Sequence, residues 1–149
     1  MRCTCYLPLV LPDGDAVSEY HFTIEGHITP YTRMTQRSMW NARSQLYLAS
    51  KEAIRVQYQA QMALHNWRCI GRQPIGVGIK LYGNIKQRKC DLDNQIKALL
   101  DAANDCVFDD DRWVDDIHAL RFEDDEETVE VRVFTYDKAT PADQGADSN

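Results

Sequence analysis

Alternation of apolar and polar residues marks two stretches of the chain, and a period of two is typical of strands with one buried face. The clearest stretch is 75–82, where Ile, Val, Ile and Leu alternate with Gly, Gly, Lys and Tyr. A shorter stretch covers 20–24, and two further strands are predicted over 113–122 and 128–136. The acidic turn 123–127 separates the last two, so we expect them to form a C-terminal hairpin.

Apolar residues recur every three or four positions in two other stretches, which is the period of an amphipathic helix. The first helix is predicted to begin at Ser50, a suitable N-cap, and to run for about four turns to Trp67. The second is predicted over 92–103, about three turns. The order of elements predicts an α/β fold: a single domain with a small mixed β-sheet packed by two helices and a C-terminal β-hairpin.

Two stretches of the chain lack such periods. Residues 29–47 are polar and basic, and we predict a long basic loop between the first strand and the first helix. Loops longer than about 12 to 15 residues in compact domains are usually functional or disordered. Residues 138–149 are small and polar, and we expect a disordered tail there. One domain is therefore predicted over 1–137.

The composition agrees with one globular domain, since the chain has 149 residues, of which 44% are hydrophobic and 27% charged. No run approaches the roughly 18 to 20 apolar residues that a membrane helix needs, so we expect no membrane association. The early apolar stretch 6–12 is short and is followed by no small-residue cleavage site. Five scattered cysteines, an odd number, favour reduced thiols. We therefore expect a cytoplasmic protein.

The formal charge of −6 is distributed unevenly along the chain. Residues 28–97 hold twelve basic and three acidic side chains, a net charge of +9. Residues 98–149 hold four basic and sixteen acidic side chains, a net charge of −12, and residues 1–27 contribute the remaining −3. A pI near 5.1 alone argues against nucleic acid as a partner, but the basic middle of the chain can present a positively charged face.

The residues most suited to chemistry lie around the start of the second helix. Asp91 and Asp93 are two apart where an extended segment enters that helix, so both carboxylates can point to one side. Lys97 follows Asp93 by four residues and therefore lies one turn along the same helical face. A third carboxylate, from the acidic triplet 109–111, can return to this place if the helix packs beside the next strand. Such oxygen ligands suit Mg²⁺ or Mn²⁺.

These residue types can hydrolyse a phosphodiester. The reaction needs an acidified water, neutralised phosphate charge and a stabilised leaving group, which metal-bound carboxylates and a lysine can supply. Basic residues just before the acids can contact a nucleic-acid backbone: Lys86, Arg88 and Lys89. A purely structural explanation also exists, in which Asp91 or Asp93 caps the helix and Asp93 pairs with Lys97. The triplet 109–111 would then be a solvated turn.

A longer motif runs through these residues. It reads Asp91-Leu92-Asp93-Asn94-x-x-Lys97-Ala98-x-x-Asp101-Ala102 and continues, after a short spacer, with Asp110-Asp111. This motif resembles that of the RusA-type crossover-junction (Holliday junction) endodeoxyribonucleases. A weaker similarity covers Gly26-x-x-x-Pro30-x-x-Arg33. The resemblance spans about 20–136 and is most specific between 88 and 115.

The resemblance implies a small α/β homodimer that binds four-way DNA and makes paired nicks with Mg²⁺, for which Mn²⁺ can substitute. It implies a catalytic lysine and three catalytic, metal-binding acids: Lys97, Asp91, Asp93 and Asp111. Because the spacer can differ by one residue, Asp110 can take the place of Asp111. Contacts with DNA are expected from the basic loop and the basic run: Arg33, Arg37, Lys86, Arg88 and Lys89. The family further implies a bacterial or phage-encoded cytoplasmic enzyme of DNA recombination and repair.

Three other functions are open at the level of the sequence. The same residues can serve a less selective nuclease that cuts flaps or replication forks. The acids can instead be caps and turn residues of a junction-binding protein without catalysis. The chain can also be an acidic interaction domain whose partner meets 123–127, although the basic segment would then have no role.

Overall fold

The structure, a computed structural model, describes residues 19–84 and 89–135. It contains four strands and two helices in the order β1 (Glu19–Glu25), α1 (Ala42–His65), β2 (Ile75–Gly83), α2 (Leu92–Ala103), β3 (Val114–Glu123) and β4 (Thr128–Thr135). Neither helix is long and apolar enough to cross a membrane in this part of the chain. The predicted tail, 138–149, lies outside the described residues. A mixed sheet packed by two helices confirms the predicted α/β fold class.

Strand β2 lies inside the sheet, whose order is β1-β4-β2-β3. It runs parallel to β3 and antiparallel to β4, and α2 forms the connection between β2 and β3. The sequence favours this place for β2, because most of its residues are buried or half-buried and its inward side chains are Ile, Val, Ile and Leu. The connection through α2 is followed by the acidic triplet 109–111, which lies just before the start of β3.

The two C-terminal strands are antiparallel and are joined by the short acidic turn that the sequence predicts, but β2 lies between them. The turn passes over the end of β2, where the N–H of Asp124 donates to the carbonyl of Gly83 (2.9 Å). The pairing therefore differs from that of a simple hairpin. A turn fixes the direction of the strand that follows it but not the strand beside which that strand lies. The more apolar β2 therefore takes the inner position.

Helix α1 begins at Ala42, earlier than the predicted start at Ser50. The side chain of Asn41 caps its first turn and accepts a hydrogen bond from the N–H three residues later (2.8 Å). The irregular basic segment is thus shorter than the predicted 29–47 and ends at Asn41. The first turns of the helix resemble a loop in sequence because their exposed face is polar, although Tyr47 is buried.

Both helices pack against the sheet around one apolar core. The core combines inward side chains of the strands with side chains of both helices, among them Ile54, Tyr58 and Met62 of α1 and Ala98, Leu99 and Ala102 of α2. The buried side of α2 fixes the rotation of that helix. Its opposite side, which carries the candidate catalytic residues, therefore faces solvent.

Candidate active site

The exposed side of α2 carries an acidic, a basic and an acidic residue in line: Asp93, Lys97 and Asp101. One helical turn separates each from the next. The ammonium of Lys97 lies 3.9 Å from Oδ1 of Asp101. The lysine thus pairs with the carboxylate one turn after it in the described structure.

Asp101 is held in place from the other helix. The hydroxyl of Tyr47 donates to Oδ2 of Asp101 (2.8 Å), while Lys97 approaches Oδ1. Burial raises the pKa of Tyr47, and its hydrogen bond to Asp101 adds to the rise. The hydroxyl therefore keeps its proton and remains a donor to the carboxylate.

A second tyrosine borders the lysine from the basic segment before α1. Nζ of Lys97 lies 4.8 Å from the centre of the Tyr31 ring, a cation–π distance. The N–H of Tyr31 donates to the carbonyl of Asn94 (3.0 Å), which ties the basic segment to α2. The rings of Tyr31 and Tyr47 meet edge to face with centroids 5.6 Å apart. Lys97 is therefore bordered by Tyr31 from the basic segment and by Asp101 from its own helix.

The two aspartates before β3 have different environments. Asp110 caps a single 3-10 turn, because its Oδ1 accepts from the N–H of Arg112 (3.0 Å) and its Oδ2 from the Arg112 guanidinium (3.2 Å). The bond from the backbone of Arg112 is the largest cause that lowers the pKa of Asp110.

Asp111 is the more buried member of this pair. Burial is the largest cause that raises its pKa, followed by its hydrogen bond to Asp110. The charge of Asp101 adds to this rise and the charge of Lys97 opposes it. The carboxyl group of Asp111 is therefore electrostatically coupled to the Lys97–Asp101 pair.

The donor chemistry of these residues suits a hard cation such as Mg²⁺, which prefers carboxylate oxygens. The hydrogen bond between Asp110 and Asp111 also brings two carboxyl groups together, and a nearby cation favours their ionised forms. Within 19–84 and 89–135, however, no three acidic, histidine or cysteine side chains form a group that could hold an ion. The described carboxylates thus offer suitable ligands without forming a ready-made metal site.

Asp91 and Asp93 lie at the start of α2 and are exposed. Asp91 occupies the N-cap position, but its side chain makes no cap hydrogen bond. The charge of Lys97 acts on Asp111, whereas the described residues do not bring Asp91, Asp93 and Asp111 into one metal-binding group.

Of the predicted DNA contacts, Arg33, Arg37 and Lys89 are exposed. Arg33 lies two residues after Tyr31 and Lys89 lies two residues before Asp91, so both are close in sequence to residues of the site. Lys86 and Arg88 lie outside the described residues.

Three residues at the site were not among the predicted functional residues: Tyr31, Tyr47 and Asp101. Asp101 has a recognisable spacing, since it follows Lys97 by one helical turn. The tyrosines have no such spacing because only the packing of the tertiary structure brings them to α2.

The family model described as Endodeoxyribonuclease RusA matches residues 26–134, well over half of the chain. The matched range contains both helices, the inner strand β2 and every residue of the site described above. No curated protein matches the chain. The match confirms the resemblance seen in the sequence, and the chain belongs to the RusA endodeoxyribonuclease family.

Proposed function

We propose that this protein is a Mg²⁺-dependent, structure-selective endodeoxyribonuclease that resolves four-way (Holliday) DNA junctions by paired symmetric nicks. The observation that carries the proposal is the environment of Lys97. Its ammonium pairs with Asp101 and is coupled to Asp111, on the exposed side of α2. Family membership supports DNA cleavage as the reaction, in recombination and repair within the bacterial or phage-infected cytoplasm.

In this proposal Asp91, Asp93 and Asp111 hold the metal ion. Asp111 is preferred to Asp110 because both oxygens of Asp110 already accept bonds from Arg112. Bound Mg²⁺, or Mn²⁺ in its place, supplies a more acidic water and neutralises charge on the scissile phosphate. The exposure of Asp91 and Asp93 leaves their carboxylates accessible to an ion that arrives with the DNA.

Lys97 has a separate role in the proposal. Its ammonium carries three donors, with Asp101 at 3.9 Å and the ring of Tyr31 at 4.8 Å beside it. In the proposal, a donor that faces away from both contacts a non-bridging oxygen of the scissile phosphate. Positive charge at that place stabilises the negative charge that develops in the transition state.

Binding of the branched DNA is assigned to the basic residues around the site: Arg33, Arg37, Lys86, Arg88 and Lys89. Contacts with phosphates dominate the affinity of such proteins and weaken with salt. The hydrogen bond from Tyr31 to Asn94 supports this assignment, since it holds the segment that carries Arg33 against α2. A junction with two-fold symmetry that is cut at paired positions calls for two related active sites, and we therefore propose a homodimer.

The substitution Asp93→Asn tests the catalytic assignment. We expect it to slow incision of an end-labelled four-way junction in Mg²⁺ by at least about 100-fold, because a charged ligand becomes a neutral amide. Binding of the junction should persist, since phosphate contacts come from other residues. Asp109→Asn is the matched control, because Asp109 pairs with Arg72 (3.7 Å) outside the site.

Equal incision by the Asp93→Asn and Asp109→Asn proteins, or incision in EDTA, would contradict the proposal. Equal cutting of flaps and forks would favour the less selective nuclease. Binding without cutting in either Mg²⁺ or Mn²⁺ would favour a junction-binding protein without catalysis.

A further inference from the structure

Helix α1 lies behind the proposed active site, yet one of its buried side chains reaches the carboxylate that pairs with the lysine. We propose that Tyr47 and Asp101 are positioning residues that hold the Lys97 ammonium in its place in the site. This inference rests on the proposed function, in which Lys97 acts on the scissile phosphate.

The two oxygens of Asp101 have different partners. Oδ2 accepts the hydroxyl of Tyr47 at 2.8 Å, and Oδ1 faces the ammonium of Lys97 at 3.9 Å. Rotation of the carboxylate would lose the bond to Tyr47, whose ring is packed in the core. The tyrosine therefore fixes the direction in which Asp101 presents its charge.

Lys97 needs such a partner because its side chain is half-exposed, at 47%, and stands on a flexible four-carbon stem. The ring of Tyr31 borders the ammonium at 4.8 Å, and Asp101 is its ion-pair partner. An ion pair at 3.9 Å with a half-exposed lysine contributes little to stability. We therefore assign the pair the role of orienting the ammonium.

A simpler explanation is that Tyr47 only places a buried hydroxyl beside a polar group. Tyr58 provides the matched control, because it lies on the same helix and is equally buried at 1% exposure. Its hydroxyl donates to the backbone carbonyl of Leu99 (3.3 Å) and not to a carboxylate. Tyr47→Phe and Tyr58→Phe each remove one buried hydroxyl, but only the first releases Asp101.

Single-turnover incision of a four-way junction, with Kd for the junction measured alongside, separates positioning from binding. We expect Tyr47→Phe to slow incision by about 10-fold at unchanged Kd, since small misplacements of a catalytic group cost up to about 100-fold. Asp101→Asn should slow incision at least as much. Tyr58→Phe should retain the wild-type rate.

A second measurement does not depend on cleavage. The rate at which an acetylating reagent modifies Lys97 in the folded full chain, followed by mass spectrometry, reports how firmly the ammonium is paired. We expect this rate to rise about 2- to 3-fold in the Tyr47→Phe and Asp101→Asn proteins, as suits a weak pair, and to stay unchanged in Tyr58→Phe.

Unchanged modification of Lys97 in the Tyr47→Phe protein would overturn the inference, whatever happens to incision. Equal slowing of incision by Tyr47→Phe and Tyr58→Phe would also overturn it. If the wild-type protein cuts no junction, the proposed function fails, and the modification rates still decide whether Tyr47 positions Lys97.

Discussion

Asp110 and Asp111 are adjacent in sequence, yet their carboxyl groups are suited to different tasks. Arg112 engages both oxygens of Asp110, which lowers its pKa and uses the side chain as a cap. Asp111 is partly buried and coupled to Lys97, with its pKa raised mainly by that burial. Because Arg112 occupies both oxygens of Asp110, we propose Asp111 as the acid of this pair that takes part in the reaction.

We expect Asp111→Asn to slow junction incision by about 100-fold or more without lowering the Tm. The raised pKa of Asp111 means that folding disfavours its ionised carboxylate relative to the unfolded chain. Replacing it with a neutral amide therefore removes an unfavourable contribution to stability. Incision assays and thermal unfolding at pH 7 measure the two effects separately.

The neighbouring substitution, Asp110→Asn, serves as the control. In the wild-type protein, the lowered pKa of Asp110 contributes stability above the unfolded pKa. This contribution is lost as the pH falls through the folded pKa. We therefore expect a small loss of Tm at pH 7 and nearly normal incision. Loss of incision in Asp110→Asn but not in Asp111→Asn would reverse the assignment.

Among the elements, α2, β1 and β2 follow closely from their hydrophobic periods, and β3 and β4 lie within one residue of their predicted ranges. The predicted helix over 92–103 matches Leu92–Ala103, because its buried side is a clear apolar stripe. The start of α1 was missed, since Asn41 and the polar face of the first turns resemble a loop. The position of β2 between the C-terminal strands was also missed, because local turn chemistry does not specify which strands become neighbours.

Two glycines of β2 differ in the side chains that a Cβ at their positions would meet. This difference predicts how alanine at each position changes the stability of the sheet. A Cβ at Gly76 would lie 2.2 Å from the ring of Phe134, which also stacks against the Arg132 guanidinium at 4.3 Å. We expect Gly76→Ala to destabilise the protein by about 1 to 2 kcal/mol, because the ring must leave its place. Chemical denaturation would measure this loss.

Gly78→Ala is the matched control in the same strand. A Cβ there meets only the Cβ of Arg132 at 3.8 Å, an ordinary contact. We expect a change between zero and a gain of about 1 kcal/mol, since alanine restricts the unfolded chain. In a Phe134→Ala background the penalty of Gly76→Ala should disappear, and its persistence there would show that the ring is not the cause.

The acidic motif allowed the family to be predicted from the sequence, and with it a nuclease; the catalytic role of Lys97 stays a prediction. The support for Lys97 was not predictable, because Tyr31 and Tyr47 reach α2 only through the packing of α1 and the basic segment. Spacing along the chain also suggested one compact group of acids. In the described residues, α2 separates Asp91 at its start from Asp101 near its end. Asp111 feels the charge of Asp101, which adds to its raised pKa.

The most direct test of the account compares two DNAs of the same sequence, a four-way junction and a linear duplex, with the nicks mapped on all strands in Mg²⁺. We expect nicks at symmetric positions on two opposite strands of the junction. We also expect the linear duplex to be cut at least about 100-fold more slowly, because only the junction presents the geometry that the site requires. Equal cutting of the linear duplex, or nicks confined to one strand, would contradict the central claim that this protein is a junction resolvase.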